Sequence, residues 1–262
     1  MTPACPTPYT LLQQTPRLRV SDGALVPMLA SYDKALLILV LPQLGDFDSL
    51  EYAWWLAREH KQLQIHQIIV RAVGIGDRKA GLRFCHYTGF SAEALFVDPQ
   101  AELHRQLNLY QGLNWKLPGW SPSQNAWLNL MLMCAGMGSP GTLAEVLRGY
   151  RGDRHAPQLI APDEVVEVKP LPPIQGSMFD RVGGSGFQRP FELATLRLRN
   201  MAESLGHWQT YVPNAAYLTQ RGGTFLFGAD GQLLYEHRDR GILGFSQTMS
   251  RPLSFLSQVN LM

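Results

Sequence analysis

Residues 35–51 read ALLILVLPQLGDFDSLE, and the fold class turns on this stretch. Positions 35–41 form a continuous apolar run bounded by Asp33-Lys34 and Pro42. A run of that length fits a strand, and a strand apolar on both sides belongs in the middle of a covered sheet. Asp48 and Glu51 then stand at capping-box spacing, and Leu50, Ala53, Trp54 and Ala57 recur at helical intervals. A helix is predicted over about 49–61.

The pattern repeats downstream. A second apolar run, 67–73 (QIIVRAV), ends at Gly74 and Gly76, and a helix over 77–88 stops at Gly89. A short strand at 94–97 precedes a helix that begins near Pro99. Upstream, 17–20 and 25–30 flank Asp22-Gly23, a hairpin signal. The four prolines of residues 1–16 predict an extended arm. Alternating strands and helices with short links predict an α/β domain with a largely parallel sheet.

Residues 113–220 break this rhythm. Trp115, Pro118, Gly119, Trp120 and Pro122 form a loop. An apolar helix is predicted at 125–135, a short one at 142–148 capped by Thr142 and Glu145, and a longer one at 190–205. Residues 153–186 are rich in proline and glycine, with an extended patch at 165–168. The sheet resumes with a hairpin, 224–227 and 233–237, around Asp230-Gly231, and a last helix is predicted at 248–258.

Composition narrows the function. A net charge of +2 over 262 residues leaves no basic stripe, so no nucleic-acid partner is expected. Three cysteines and no CxxC pair exclude a disulfide framework and a dithiol site. No apolar run approaches a membrane span. The first residues, MTPACPTPYT, lack a basic start followed by an apolar stretch, so no signal peptide is expected and the expected compartment is a reducing cytoplasm. The seven histidines show no HxH or HxxxH pair, and neither a metal nor another cofactor is expected. Gly74-x-Gly76 lacks the third glycine of a dinucleotide loop and reads as a strand-to-helix turn.

Three stretches together carry a family resemblance: 35–51, 83–98 (RFCHYTGFSAEALFVD) and 222–238 (GGTFLFGADGQLLYEHR). They resemble the peroxiredoxin-like, AhpC/TSA-type branch of the thioredoxin superfamily that includes prostamide/prostaglandin F synthase-like proteins. The long middle segment is similar to long forms in cyanobacteria and plastids. The resemblance implies a thioredoxin-like half at 17–112, a mainly helical insertion at 113–220, and a hairpin and helix at 221–262 that complete the fold. Redox-active members lead from the first strand through Gly-Cys-x-x-Cys into the first helix. Gly45-Asp46-Phe47-Asp48-Ser49 stands there instead, so Asp46 and Ser49 fall at the cysteine positions. A helix N-terminus lowers the pKa of a thiol, but a carboxylate in that field cannot become a sulfenic acid. The resemblance with sulfur removed implies a redox-inactive binding or scaffold protein. A cyanobacterial or plastid setting would make its protein partner a photosynthetic membrane complex, met peripherally from the soluble side.

The binding candidates are Asp46, Phe47, Asp48 and Ser49 at the helix tip and Trp115, Trp120 and Trp127 in the insertion. Asp48 and Glu51 also read as a helix cap, with Asp46 ahead of it. The tryptophans, with Leu130, Met131 and Met133, read equally as a second core or as a docking surface. The alternative is a thiol oxidoreductase using Cys85, with His86 or Arg83 lowering its pKa. Cys85 reads more simply as a buried small hydrophobe, and Cys134, without charged sequence neighbours, as core. A third reading gives Asp46 a catalytic carboxylate's role in a pocket joined to the tryptophan-rich segment.

Overall fold

The computed structural model describes residues 7–29, 34–168 and 171–257. Strands in chain order are β1 (Pro16–Arg19), β2 (Leu25–Pro27), β3 (Leu36–Gln43), β4 (Ile69–Ile75), β5 (Leu95–Val97), β6 (Val165–Val166), β7 (Ile174–Gln175), β8 (Gly223–Phe227) and β9 (Leu233–Arg238). Helices are α1 (Pro8–Gln14), α2 (Phe47–Arg58), α3 (His60–Ile65), α4 (Arg78–Thr88), α5 (Glu102–Gln106), α6 (Pro122–Cys134), α7 (Thr142–Arg151), α8 (Ser177–Gly183), α9 (Glu192–Gly206) and α10 (Trp208–Tyr211).

β3 is buried at every residue and lies inside a seven-stranded sheet of order β2-β1-β5-β4-β3-β8-β9. It pairs in parallel with β4 and antiparallel with β8; β5 extends the parallel part and β9 the antiparallel part. Side chains alternate along a strand. Leu36, Ile38 and Val40 therefore enter one core with Leu12, Leu103 and Phe225, while Leu37, Leu39 and Leu41 enter the other with Leu56, Phe84 and Leu196. Helices cover both faces. The result is a thioredoxin-like α/β fold with added helical segments.

The larger core also contains Leu159, Ile160, Val166, Phe179, Leu193 and Leu196, so much of the stretch 113–220 packs on the sheet. Ion pairs tie it down. Arg197 of α9 contacts Glu51 of α2 and Glu145 of α7, each at 2.7 Å. Glu192, fully buried, accepts hydrogen bonds from the Leu159, Ile160 and Arg189 amides. These paired charges are buried or nearly so, with Glu192 at 0 % and Glu145 at 8 % exposure.

Four local expectations change. Residues 8–14 form a helix rather than an extended arm, because Thr7 accepts the Thr10 amide hydrogen bond and Pro8 occupies the first helical turn; Cys5 and the rest of residues 1–6 lie outside the described residues. The second strand starts at Ile69, two positions later than predicted, because Gln67 turns the chain with φ 52°. α7 is preceded by Gly141 in a left-handed conformation, and Thr142 is no cap: its hydroxyl donates to the Ile242 carbonyl. Over 248–257 there is a short 3-10 turn at Ser254–Ser257 instead of a helix, and Pro252 cannot donate the amide bond a helix needs there; residue 258 lies outside the described residues.

Candidate functional site

β3 delivers the chain to the tip of α2. The Asp46 amide donates to the Gln43 carbonyl, which makes the turn. Asp46 is then the N-cap: its Oδ1 accepts the Asp48 amide at 3.0 Å. The expected cap at Asp48, closed by Glu51, does not form. Asp48 has 1 % exposure and Glu51 3 %, and both turn inward to cations. Gly45 fits because a Cβ there would lie 2.4 Å from Tyr211 Cβ.

Arg221, just ahead of β8, fills the centre of the site and is wholly buried. Its Nη2 donates to Asp46 Oδ2 at 2.7 Å, and its Nη1 lies 3.4 Å from Asp48 Oδ2. Nε donates to the Thr219 carbonyl. Asp48 also accepts the Leu243 amide at 2.7 Å. Asp239, at the end of β9, accepts the Gly222 amide at 3.2 Å. Ser49 is fully buried and donates to the Gln43 carbonyl.

Three carboxyl groups thus surround one guanidinium. Burial, reinforced by the Asp46 charge, pushes the Asp48 carboxyl above the usual carboxylate range. Burial pushes Asp239 up to about 8, only partly offset by Arg221 and the Gly222 amide. Asp239 is therefore mostly protonated at neutral pH.

The space at the tip is small. A cavity of about 40 Å³ is lined by Gly45, Asp46, Phe47, Leu130, Trp208 and Ile242. That leaves room for water-sized molecules and none for a larger organic substrate. The catalytic-carboxylate reading needed a pocket joining Asp46 to the tryptophan-rich segment; this small one reaches Leu130 of that segment and Trp208, on which Trp127 stacks, but not Trp115 or Trp120.

Neither described cysteine is an activated thiol. Cys85 is half-buried in α4, and burial pushes it up to about 11. Arg83 is committed to Glu203, at 2.6 Å. Cys134 is not plain core: like Phe47 it is partly buried against the Met133, Ile242 and Leu243 cluster, and it senses Asp46, Asp48 and Arg221. Burial first, then the carboxylates, push this thiol up as well. Among the described residues no group of three or more His, Cys, Asp or Glu is placed to hold a metal ion.

The tryptophan candidates separate. Trp127, 39 % exposed, stacks on Trp208 with centroids 4.7 Å apart, and Trp208 lines the cavity at Phe47. Trp115 and Trp120, 53 % and 47 % exposed, lie on the 113–120 loop. Asp48 and Ser49 are interior, which removes them from any docking surface. Arg221, Asp239 and Cys134 were missed as site residues. The one available signal was a lone arginine two glycines ahead of the apolar strand TFLF.

The profile of the AhpC/TSA antioxidant enzymes matches residues 55–241, well over half of the chain. The chain belongs to the AhpC/TSA family. The span matched to that family opens inside α2, beyond the Asp46–Ser49 tip, and runs through α6–α10 to the end of the β8–β9 hairpin. No curated protein and no solved structure matches the chain. Among the described residues no helix is long and apolar enough to cross a membrane.

Proposed function

We propose that this AhpC/TSA-family protein is a redox-inactive member that works by binding a protein partner. The observation that carries the reading is the helix tip, where Asp46 caps α2 and pairs to buried Arg221, with no thiol in the turn from β3 into α2. Peroxide reduction needs a thiolate with room for peroxide beside it. Here a capped and paired carboxylate stands at the tip, and burial pushes both described thiols up. The correspondence of Asp46 and Ser49 to the lost cysteines belongs to the same reading.

The partner meets the exposed indoles of Trp115, Trp120 and Trp127, with Phe47 behind Trp208; Asp46 acts through the shape of the tip. Aromatic side chains anchor interfaces because they bury large rigid areas. The likeness to prostamide/prostaglandin F synthase-like long forms of cyanobacteria and plastids makes the partner a photosynthetic complex, served from the cytoplasmic side as an accessory or assembly factor.

Peroxide consumption and sulfenic-acid trapping test the redox part: neither should exceed that of a Cys85→Ser/Cys134→Ser variant. Turnover abolished by either substitution overturns it. A photo-crosslinking residue at position 127 should capture one partner from native lysate that the same residue at position 61 does not. Identical capture at both positions overturns the binding surface.

A further inference from the structure

We infer that the groove beside Trp120 is a preformed site for a small organic anion with a flat apolar body, a carboxylate or a phosphate ester. This rests on the binding reading only in its use of Trp120, and it adds a ligand class that no partner surface supplies.

The groove has a volume of about 530 Å³, within the range of small-molecule sites. Its walls are fixed from three directions. The 113–120 loop hangs on α6 through two asparagines one turn apart. Asn129 accepts the Trp115 amide at 3.0 Å and donates to the Trp115 carbonyl at 2.9 Å. Asn125 accepts the Leu117 amide at 2.8 Å and donates to the Trp120 carbonyl at 3.3 Å. The floor is stitched together: Thr219 donates to the Gln111 carbonyl, and Gln220 to the Tyr110 carbonyl. On the third side, the Tyr217 hydroxyl contacts Gln100, and Arg105 donates to the Gln100 carbonyl. A site whose walls are already hydrogen-bonded loses little ordering entropy when it fills.

The lining also sets a sign. Arg105 and Lys116 line the groove, and no aspartate or glutamate does. Neither cation has a carboxylate partner among the described residues, and the nearby Glu102 is taken by Arg17. The aromatic and apolar part comes from Trp120, Tyr217, Leu113 and Leu117, with amide side chains between. Two uncompensated cations over an aromatic wall favour an anion with a planar ring and disfavour a cation of the same shape. The floor residue Gln220 adjoins Arg221, so an occupied groove abuts the segment that closes the α2 tip.

Isothermal titration of the full chain with 2-naphthoate, 2-naphthyl phosphate, 2-naphthalenemethanol and 2-naphthylmethylamine tests the site. Saturable binding of at least one anion is expected, at least tenfold tighter than the alcohol and without measurable binding of the amine; the two anions distinguish a carboxylate site from a phosphate site. Lys116→Glu and Trp120→Ala, both at exposed positions, should each weaken the anion tenfold or more with an unchanged circular dichroism spectrum. Equal binding of anion, alcohol and amine, no saturation at millimolar anion, or affinity unchanged in Lys116→Glu overturns the inference. The position-127 crosslink reports on the partner reading separately, so either can fail alone.

Discussion

The guanidinium of wholly buried Arg221 lies 2.7 Å from the carboxylate of Asp46, the residue that caps α2, although the two stand 175 positions apart in the chain. One cation thereby holds the tip of the helix, the end of β3 and the start of β8 together. Removing one partner of a buried pair leaves the other charge uncompensated, which costs about 3–5 kcal/mol. Arg221→Met should lower the urea-unfolding free energy by that order, and Asp46→Asn in the same chain should restore part of it. A loss under about 1 kcal/mol would mean that the pair does not hold the tip.

Placing a thiol at the tip probes the electrostatics directly. In a Cys85→Ser/Cys134→Ser background, Asp46→Cys places a thiol at a helix N-terminus beside Arg221. Its alkylation rate should titrate with a midpoint below the unperturbed value of about 8.5. A midpoint above that value would show that burial outweighs both positive sources.

The native thiols should behave in the opposite way. Iodoacetamide should label Cys85 slowly at neutral pH, with a rate still rising toward pH 11, because burial disfavours its thiolate. Rapid labelling of Cys85 at pH 7 would contradict the half-buried environment of α4.

Asp239 gives the protein a pH signature. Its folded-state pKa of about 8 exceeds the ordinary carboxylate value, so the folded chain holds a proton that the unfolded chain releases. That contribution is fully present below about pH 4 and is lost as the pH rises through 8. Buried His104, pushed down to about 4, acts in the opposite sense, but only below its unfolded value of about 6.5. From about pH 7, where the opposing contributions of His104 and His237 have faded, to pH 8 the Asp239 proton, with buried Asp48 acting in the same direction, should lower stability by about 1 kcal/mol per pH unit. Asp239→Asn should flatten most of that slope in denaturant titrations; a slope unchanged by the substitution would assign it elsewhere.

The asparagine clamp predicts a local effect. Asn129→Ala strands the amide and carbonyl of Trp115 and should cost about 1–3 kcal/mol. Limited proteolysis should then cut within 113–120 faster than in the parent chain, while equal cleavage rates would mean that the loop stands without the clamp.

What could be read from the sequence was what neighbouring residues decide. The apolar run of β3, the Gly89 stop of α4 and the Asp230-Gly231 hairpin all rest on local spacing. The cap of α2 was misplaced because Asp46 and Asp48 both suit a helix start, and Glu51 completes a box with Asp48 on spacing alone. The choice is made by Arg221, Leu243 and Arg197, which arrive from the last third of the chain and draw Asp48 and Glu51 inward. Cys134 was misjudged for the same reason: its charged surroundings come from α2 and the β8 approach, not from α6.

β3 has its two neighbours delivered at very different times. β4 follows it closely, but β8 is made about 180 residues later, roughly ten to forty seconds at ordinary ribosome speed. Through that interval the most apolar strand of the nascent chain offers an open edge, and two acidic side chains at the adjoining helix tip wait for their cation. An unpaired edge of that composition is a template for aggregation. The order of synthesis therefore gives the emerging polypeptide a need for chaperone cover that the finished molecule no longer has.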